Sequence, residues 1–171
     1  MNERLKKLHA TLGISPAYGS ARRLLPQREA GRVIRVATLS DGRAVALTPR
    51  AAVAWRRMRD AAARDGVVLY PLSGFRSVAR QTRIIRDSLA AGRPLAEILR
   101  LIAAPGFSEH HTGRALDLGT TGCETLEVAF ARTAAFRWLA RHAGEFGFRL
   151  SYPRNNPHAI AYEPWHWCWR R

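Results

Sequence analysis

The sequence predicts a single α+β domain in which helices pack on a small, mainly antiparallel sheet. The chain has 171 residues, of which 47% are hydrophobic, so it is long enough to bury one core of ordinary size. Short apolar runs bounded by glycine or proline are mixed with helical patterns and do not form a regular βαβ series. No internal repeat or low-complexity linker divides the chain. We therefore expect one domain over residues 32–171, preceded by a basic lead-in over residues 1–31.

The order of the elements follows from apolar periodicity and from the residues that interrupt it. Asp41 and Gly42 lie between two apolar runs and predict a β-hairpin with a primed two-residue turn. Thr48 and Pro49 supply a cap and a first-turn proline for a helix. The core side of that helix is expected to carry Val53, Met58 and Ala62. The predicted segments are strands at 33–39 and 43–47, a helix from 49 to about 65, a strand at 67–72, a helix at 78–91, a short helix after 94 through 102, a strand at 114–118, a long helix from 124 to about 144, and strands at 148–152 and 159–162.

Charge and cysteine content narrow the class of protein. There are 28 Lys and Arg against 13 Asp and Glu, for a formal charge of +15, which attracts polyanions in general. The arginines are spread along the chain without a zinc-finger or RRM pattern, so a solvated basic surface is favoured and no specific nucleic-acid partner is expected. Two cysteines, Cys123 and Cys168, cannot form a disulfide framework, and their redox state stays open. No transmembrane segment or signal peptide is predicted, so we expect the chain to be cytoplasmic as encoded. A monomer is expected as well.

Three side chains in two separate segments suit a metal ion. His110 and Asp117 are seven residues apart across a turn into a predicted strand, and His166 lies far along the chain. Two imidazoles and one carboxylate leave a position open on a tetrahedral zinc ion, as a catalytic site requires. Glu163, three residues before His166, can take a proton from water that zinc has made acidic. A regularly extended segment would send Glu163 and His166 to opposite faces, so a bend at Pro164 is expected between them.

Longer segments around these residues resemble a known family. Ser108–Asp117, with the sequence SEHHTGRALD, resembles the Ser-x-His-x-x-Gly-x-Ala-x-Asp motif of LAS-type zinc metallopeptidases, in particular the VanY-like D-alanyl-D-alanine carboxypeptidases. Tyr162–Trp167, YEPWHW, is similar to the second motif of that branch, and Ser73–Ser77, SGFRS, to a third segment. The three segments occur in the order of the family, and the resemblance covers residues 47–169.

The resemblance implies a role for each matching residue. His110, Asp117 and His166 would bind one zinc ion per chain in a side cleft, Glu163 would be the general base and then the acid, and Arg76 would stabilise developing negative charge on the substrate. Further residues are expected to bind substrate or to support the site. Substrate binding is expected of Ser108, Arg76, Tyr152 and Trp165, and a supporting role of Gln81 and His111. His111 is interpreted as supporting because a fourth protein ligand would close the catalytic position.

The function predicted on this basis is zinc-dependent hydrolysis of peptidoglycan stem peptides or muropeptides, with release of a terminal D-alanine. One alternative is a peptidoglycan endopeptidase of the phage-lysin type, which cuts within the stem or the cross-bridge. A more distant alternative is a basic module that binds polyanions without catalysis. Glu163 argues against a module that retains a zinc site without catalysis, because a purely structural zinc has no use for a base beside it.

Overall fold

The computed structural model describes residues 3–171, so the first two residues of the predicted lead-in, Met1 and Asn2, lie outside the described residues. Helices and strands alternate irregularly along the chain, as the mixed pattern predicts. The elements are α1 (Glu3–Thr11), α2 (Tyr18–Ala21), β1 (Ile34–Thr38), β2 (Ala44–Leu47), α3 (Pro49–Arg64), β3 (Tyr70–Ser73), α4 (Val78–Ala90), α5 (Leu95–Leu101), β4 (Ala115–Gly119), α6 (Ala134–His142), β5 (Phe148–Leu150) and β6 (His166–Trp169). Single 3-10 turns occupy Glu109–Thr112, Val128–Arg132 and Ala143–Phe146.

The main sheet has four antiparallel strands in the order β3-β4-β6-β5, and β1 pairs with β2 in a separate hairpin. All five residues of β4 are buried, so this strand is the centre of the domain. Asp117 on β4 lies opposite His166 on β6 in the register of the sheet. The predicted α+β fold is confirmed, and the register already brings two candidate metal ligands together.

Two apolar clusters hold the domain together. The larger one packs α3 against the sheet, with Trp55 and Met58 fully buried beside Leu116 and Leu118 of β4. In the smaller cluster, buried residues of the lead-in pack against the helices that follow β3. Its members include Leu12, Ile14, Tyr18, Ile85, Ile98 and Phe107. Within residues 3–171, no helix combines the length and the apolar character that a bilayer span requires.

Two predictions for the hairpin and for α3 are wrong in detail. The turn is not primed, because Gly42 has a φ of 80° whereas Asp41 does not share the left-handed conformation that such a turn requires. Gly42 N instead donates to Leu39 O at 2.9 Å, and Leu39 N donates to Arg43 O, so the loop is longer than two residues. On α3, Val53 is 53% exposed, and Trp55 occupies the core in its place.

The second half of the chain contains fewer regular residues than predicted. The long helix expected over 124–144 is replaced by the 3-10 turn Val128–Arg132 and by α6, because Thr133 Oγ1 accepts from Phe136 N at 3.1 Å and begins a new helix. The strand predicted at 159–162 is absent from the described structure. Ala159 has a φ of 50°, and Ala161 N donates to Arg100 O outside the sheet.

Candidate metal centre

The candidate ligands converge where β4, β6 and the turn before β4 meet. Asp117 comes from β4, His166 from the first position of β6, and His110 from the 3-10 turn Glu109–Thr112. One ligand atom from each residue can be chosen so that all three lie within 4.8 Å of one another, and all three residues are buried. Two segments that are far apart in the sequence therefore form a single cluster, as predicted.

Hydrogen bonds fix which ring nitrogen of each histidine faces the cluster. His110 Nδ1 lies 2.7 Å from Gly74 O, and because a carbonyl can only accept, this nitrogen carries the proton. His110 Nε2 is then the free atom, 3.1 Å from Asp117 Oδ2. In His166 the arrangement is reversed: Nδ1 lies 3.0 Å from Asp117 Oδ1, and Nε2 lies 3.0 Å from Glu109 Oε2. The two histidines present different nitrogens to the same space.

This donor set fits a zinc ion. Burial lowers the pKa of His110, which favours the neutral imidazole that a metal requires. Burial alone would raise the pKa of Asp117, but its two imidazole neighbours hold that pKa well below the ordinary range, so the carboxylate is anionic. Against the cost of burial, hydrogen bonds to Asp117 and Glu109 raise the pKa of His166 to about 10, so zinc must displace a proton there. Two nitrogens and one carboxylate oxygen are typical of catalytic zinc.

Glu163 lies beside the cluster on a tight turn. His166 N donates to Glu163 O at 3.1 Å, which confirms the predicted bend and places both side chains on the same side. Glu163 Oε2 is 3.8 Å from His166 Nδ1, and only 12% of its side chain is exposed. Burial raises the pKa of Glu163 to about 7, since the lowering effect of His166 and Arg76 does not offset it. A carboxyl group with this pKa can both accept and return a proton near neutral pH.

Arg76 follows β3 and faces the same carboxylates. Its backbone N donates to His110 O at 3.1 Å, so the segment is tied to the turn that carries the ligand. Burial lowers the pKa of Arg76, while the charges of Asp117 and Glu163 raise it. Its Nε is buried and has no hydrogen-bond partner among residues 3–171. The guanidinium therefore holds an unused donor next to the candidate metal site.

His111 and Gln81 lie behind the site. His111 Nδ1 lies 2.6 Å from Arg76 O, and His111 Nε2 accepts from Gly106 N at 3.0 Å, so neither ring nitrogen is free for a metal. Gln81 is fully buried on α4 and donates to Ala103 O at 2.5 Å. Both placements agree with the supporting role expected of these residues.

The three remaining predicted substrate contacts lie at different depths. Tyr152 is buried with its ring centroid 4.9 Å from that of His166, and its carbonyl accepts from Glu163 N at 3.1 Å. Ser108 is buried just before the ligand turn. Trp165 is half-buried, and its carbonyl accepts from Leu118 N at 3.0 Å. All three adjoin the site, and their contacts with substrate stay predictions.

The sequence interpretation missed a second carboxylate. Glu109 Oε2 accepts from Ser151 Oγ at 2.6 Å as well as from His166 Nε2, and Glu109 also pairs with Arg170. Burial would raise the pKa of Glu109, but His166, Arg170 and Ser151 together lower it to about 2. Adjacency to His110 in the first motif was the one available signal, and it does not show that the side chain reaches the other histidine.

An open cleft of about 740 Å³ lies beside the cluster. Asp117 and Arg76 line the end nearest the metal ligands, and the loop of the β1–β2 hairpin lines another wall. Glu124 and Tyr70 also line the cleft. The space is large enough for a short peptide.

Comparison with known proteins identifies relatives of this arrangement. The family model described as VanY, D-alanyl-D-alanine carboxypeptidase, matches residues 44–171. The chain is 38% identical over 120 residues to YodJ of Bacillus subtilis, an alignment that covers 68% of the chain but 43% of YodJ. It is similar to a structure of the LdcB LD-carboxypeptidase, with 31% identity, a TM-score of 0.67 and coverage of 85% of this chain and 66% of that one. A mutant of the vancomycin resistance D,D-pentapeptidase VanY, solved with Zn(II), gives 27% identity, a TM-score of 0.63 and coverage of 85% and 82%.

Proposed function

The chain belongs to the VanY D-alanyl-D-alanine carboxypeptidase family, and from this premise we propose that it hydrolyses peptidoglycan stem peptides with a bound zinc ion and releases a terminal D-alanine. The observation that carries the proposal is the buried His110, Asp117 and His166 cluster with Glu163 beside it. A purely structural zinc site has four protein ligands and no need of a base. The cleft next to Asp117 supports access of a peptide to the site.

Each residue in and around the cluster has a different role in the proposed reaction. His110, Asp117 and His166 would hold the zinc ion, which would supply Lewis-acid polarisation of the scissile carbonyl and acidify water. Glu163 accepts the proton from the attacking water and then returns it to the leaving amine, for which its raised pKa is suited. Arg76 lines the cleft and would offer its guanidinium to the oxygen on which negative charge develops. Its own backbone contacts with His110 and His111 hold the arginine in place.

The candidate activities differ in the peptide bond that they cut. D,D-pentapeptidase and LD-carboxypeptidase are both found among the structural relatives, so the terminal residue could leave from a pentapeptide or from a tetrapeptide. An endopeptidase would instead divide the stem or the cross-bridge. The family model favours cleavage between two D-alanines.

The test combines elemental analysis of the purified protein with incubation on defined muropeptides. We expect one zinc per chain and the loss of a single alanine from a pentapeptide stem, detected by mass spectrometry. His110→Ala should lose both the zinc and the activity. His142→Ala is the matched control, because His142 pairs with Glu145 outside the site and should keep both. Cleavage of the pentapeptide into two fragments that are each longer than one residue would contradict the carboxypeptidase proposal.

A further inference from the structure

Glu109 makes three contacts that the proposed hydrolysis does not use. One oxygen, Oε2, lies 3.0 Å from His166 Nε2 and accepts from Ser151 Oγ at 2.6 Å. The other oxygen, Oε1, pairs with Arg170. Only 9% of the Glu109 side chain is exposed. A buried carboxylate that accepts hydrogen bonds from three donors is held in one position, unlike a carboxylate that is solvated on the surface.

The contact with His166 decides how that ring can bind a metal. An imidazole that donates from one nitrogen leaves the lone pair of the other nitrogen for the metal. Glu109 and Asp117 are both carboxylates and can only accept, so both nitrogens of His166 carry a proton in the metal-free site; zinc would replace the proton on Nδ1, while Glu109 keeps the one on Nε2. His166 Nδ1 is therefore the atom that faces Asp117 and the metal site.

Comparison with His110 shows what is distinctive about the contact between Glu109 and His166. His110 is held by a backbone carbonyl, Gly74 O, which no side-chain substitution removes. His166 depends instead on a side chain that lies 57 residues away in the sequence. A charged acceptor also makes the ring a stronger base toward the metal than a neutral carbonyl does.

We propose that Glu109 is the positioning residue that selects Nδ1 of His166 as the zinc ligand and that Ser151 and Arg170 hold Glu109 for this task. The inference rests on the zinc site of the proposed function and is independent of which peptide bond is cut. Ser151 anchors the same oxygen that meets the imidazole, and Arg170 anchors the other. With both oxygens fixed, the imidazole cannot rotate without losing its acceptor.

The experiment measures zinc affinity and the state of the ring without any substrate. Competition with a chelator should give Glu109→Ala a zinc dissociation constant about 10–100-fold higher than that of the wild type, as for other partners of metal-bound histidines. Glu109→Gln should lie between the two, because its amide oxygen accepts the hydrogen bond without a charge. In ¹⁵N NMR spectra of the zinc-loaded wild type, we expect His166 to be metallated at Nδ1 and protonated at Nε2. In Glu109→Ala, the hydrogen-bonded Nε2 proton should lose its downfield position.

Glu145→Ala is the matched control, because Glu145 accepts from His142 Nδ1 at 2.9 Å away from the zinc site. It should leave the zinc affinity and the His166 signals unchanged. If Glu109→Ala does not fold, as judged by circular dichroism, Glu109→Gln carries the test. Wild-type zinc affinity with wild-type His166 signals in the folded Glu109 variants would overturn this inference alone. Absence of zinc from the wild-type protein would refute the zinc site itself, and the inference with it.

Discussion

Glu163 and Glu109 lie on opposite sides of the His166 ring, and their pKa values are shifted in opposite directions. Glu163 lies 3.8 Å from Nδ1 and has its pKa raised to about 7, whereas Glu109 lies 3.0 Å from Nε2 and has its pKa lowered to about 2. Burial does not explain the difference between the two pKa values, since the side chains of Glu163 and Glu109 are 12% and 9% exposed. The difference comes from their hydrogen-bond partners. Glu109 receives hydrogen bonds from Ser151, His166 and Arg170, while none from a side chain within residues 3–171 reaches Glu163.

The difference shows how two glutamates beside one histidine can have separate tasks. A carboxylate surrounded by donors stays ionised and can orient the ring. A buried carboxyl group with a like charge nearby, here Asp117, can take up and release a proton near neutral pH. Four predictions test this division, and the first has the largest expected effect.

Glu163→Gln should abolish most of the turnover and leave the zinc in place. The amide cannot take a proton from water, and general-base catalysis is worth roughly 10²–10⁴-fold in rate. Steady-state kinetics on a pentapeptide stem should show this loss in kcat, and elemental analysis should still give one zinc per chain. A kcat close to the wild-type value would assign the base to another residue.

Arg76→Lys should lower kcat/KM by about 10²–10³-fold, the usual cost of removing one donor to a developing oxyanion. The lysine keeps the charge but loses the planar guanidinium that presents several donors. Arg170→Lys, on the Glu109 side, is the comparison variant. Its side chain is 49% exposed, so the effect on kcat/KM should be much smaller. Equal losses in the two variants would show that the two cations do not have separate roles.

The metal-free protein should lose stability as the pH rises from about 7 to about 10. The pKa of His166 lies above its ordinary value of 6.5 in the folded state, so its contribution is fully present below 6.5 and is lost as the pH passes through 10. Raising the pH also ionises Glu163, but that transition is centred near pH 7. Thermal unfolding in a chelator should show the decline, and His166→Gln should remove most of it. A pH-independent midpoint in the wild type would contradict the ion pairs around His166.

Ser151→Ala should have the smallest effect, a loss of about 1 kcal/mol in the free energy of unfolding, because one hydrogen bond to Glu109 disappears. Urea denaturation of the zinc-loaded protein measures it. Ser20→Ala, at an exposed serine whose hydroxyl donates to Ala17 O, should change stability by less than about 0.5 kcal/mol. If the two variants behave alike, Ser151 is not an anchor for Glu109.

Much of the metal site was predictable because its residues lie in two short segments with fixed spacing. The predicted ligands, the base and the bend at Pro164 are brought together as expected. Glu109 was not predictable in the same way. It sits in a 3-10 turn, where no strand or helix period assigns its direction, and its contacts with Ser151, His166 and Arg170 depend on the pairing of strands distant in sequence.

The fold predictions failed where apolar residues have no core to meet. Leu126 and Val128 are 46% and 49% exposed, so the apolar pattern that suggested a helix from 124 has no packing to support it. Val53 is exposed for the same reason, since Trp55 fills the space beneath α3. Periodicity identifies a candidate apolar face, but it does not show whether other elements cover that face.

The position of β4 between β3 and β6 has a consequence for the growing chain on the ribosome. When β4 emerges it can pair with β3 at once, but its other edge waits for β6, whose His166 lies 49 residues after Asp117. All residues of β4 are buried in the finished domain, so in the interval an apolar strand has an unpaired edge that can recruit other chains. The nascent protein also holds just two of the three candidate zinc ligands during that time. Pairing of β6 would therefore complete the candidate zinc site and cover the open edge of β4 in the same late step.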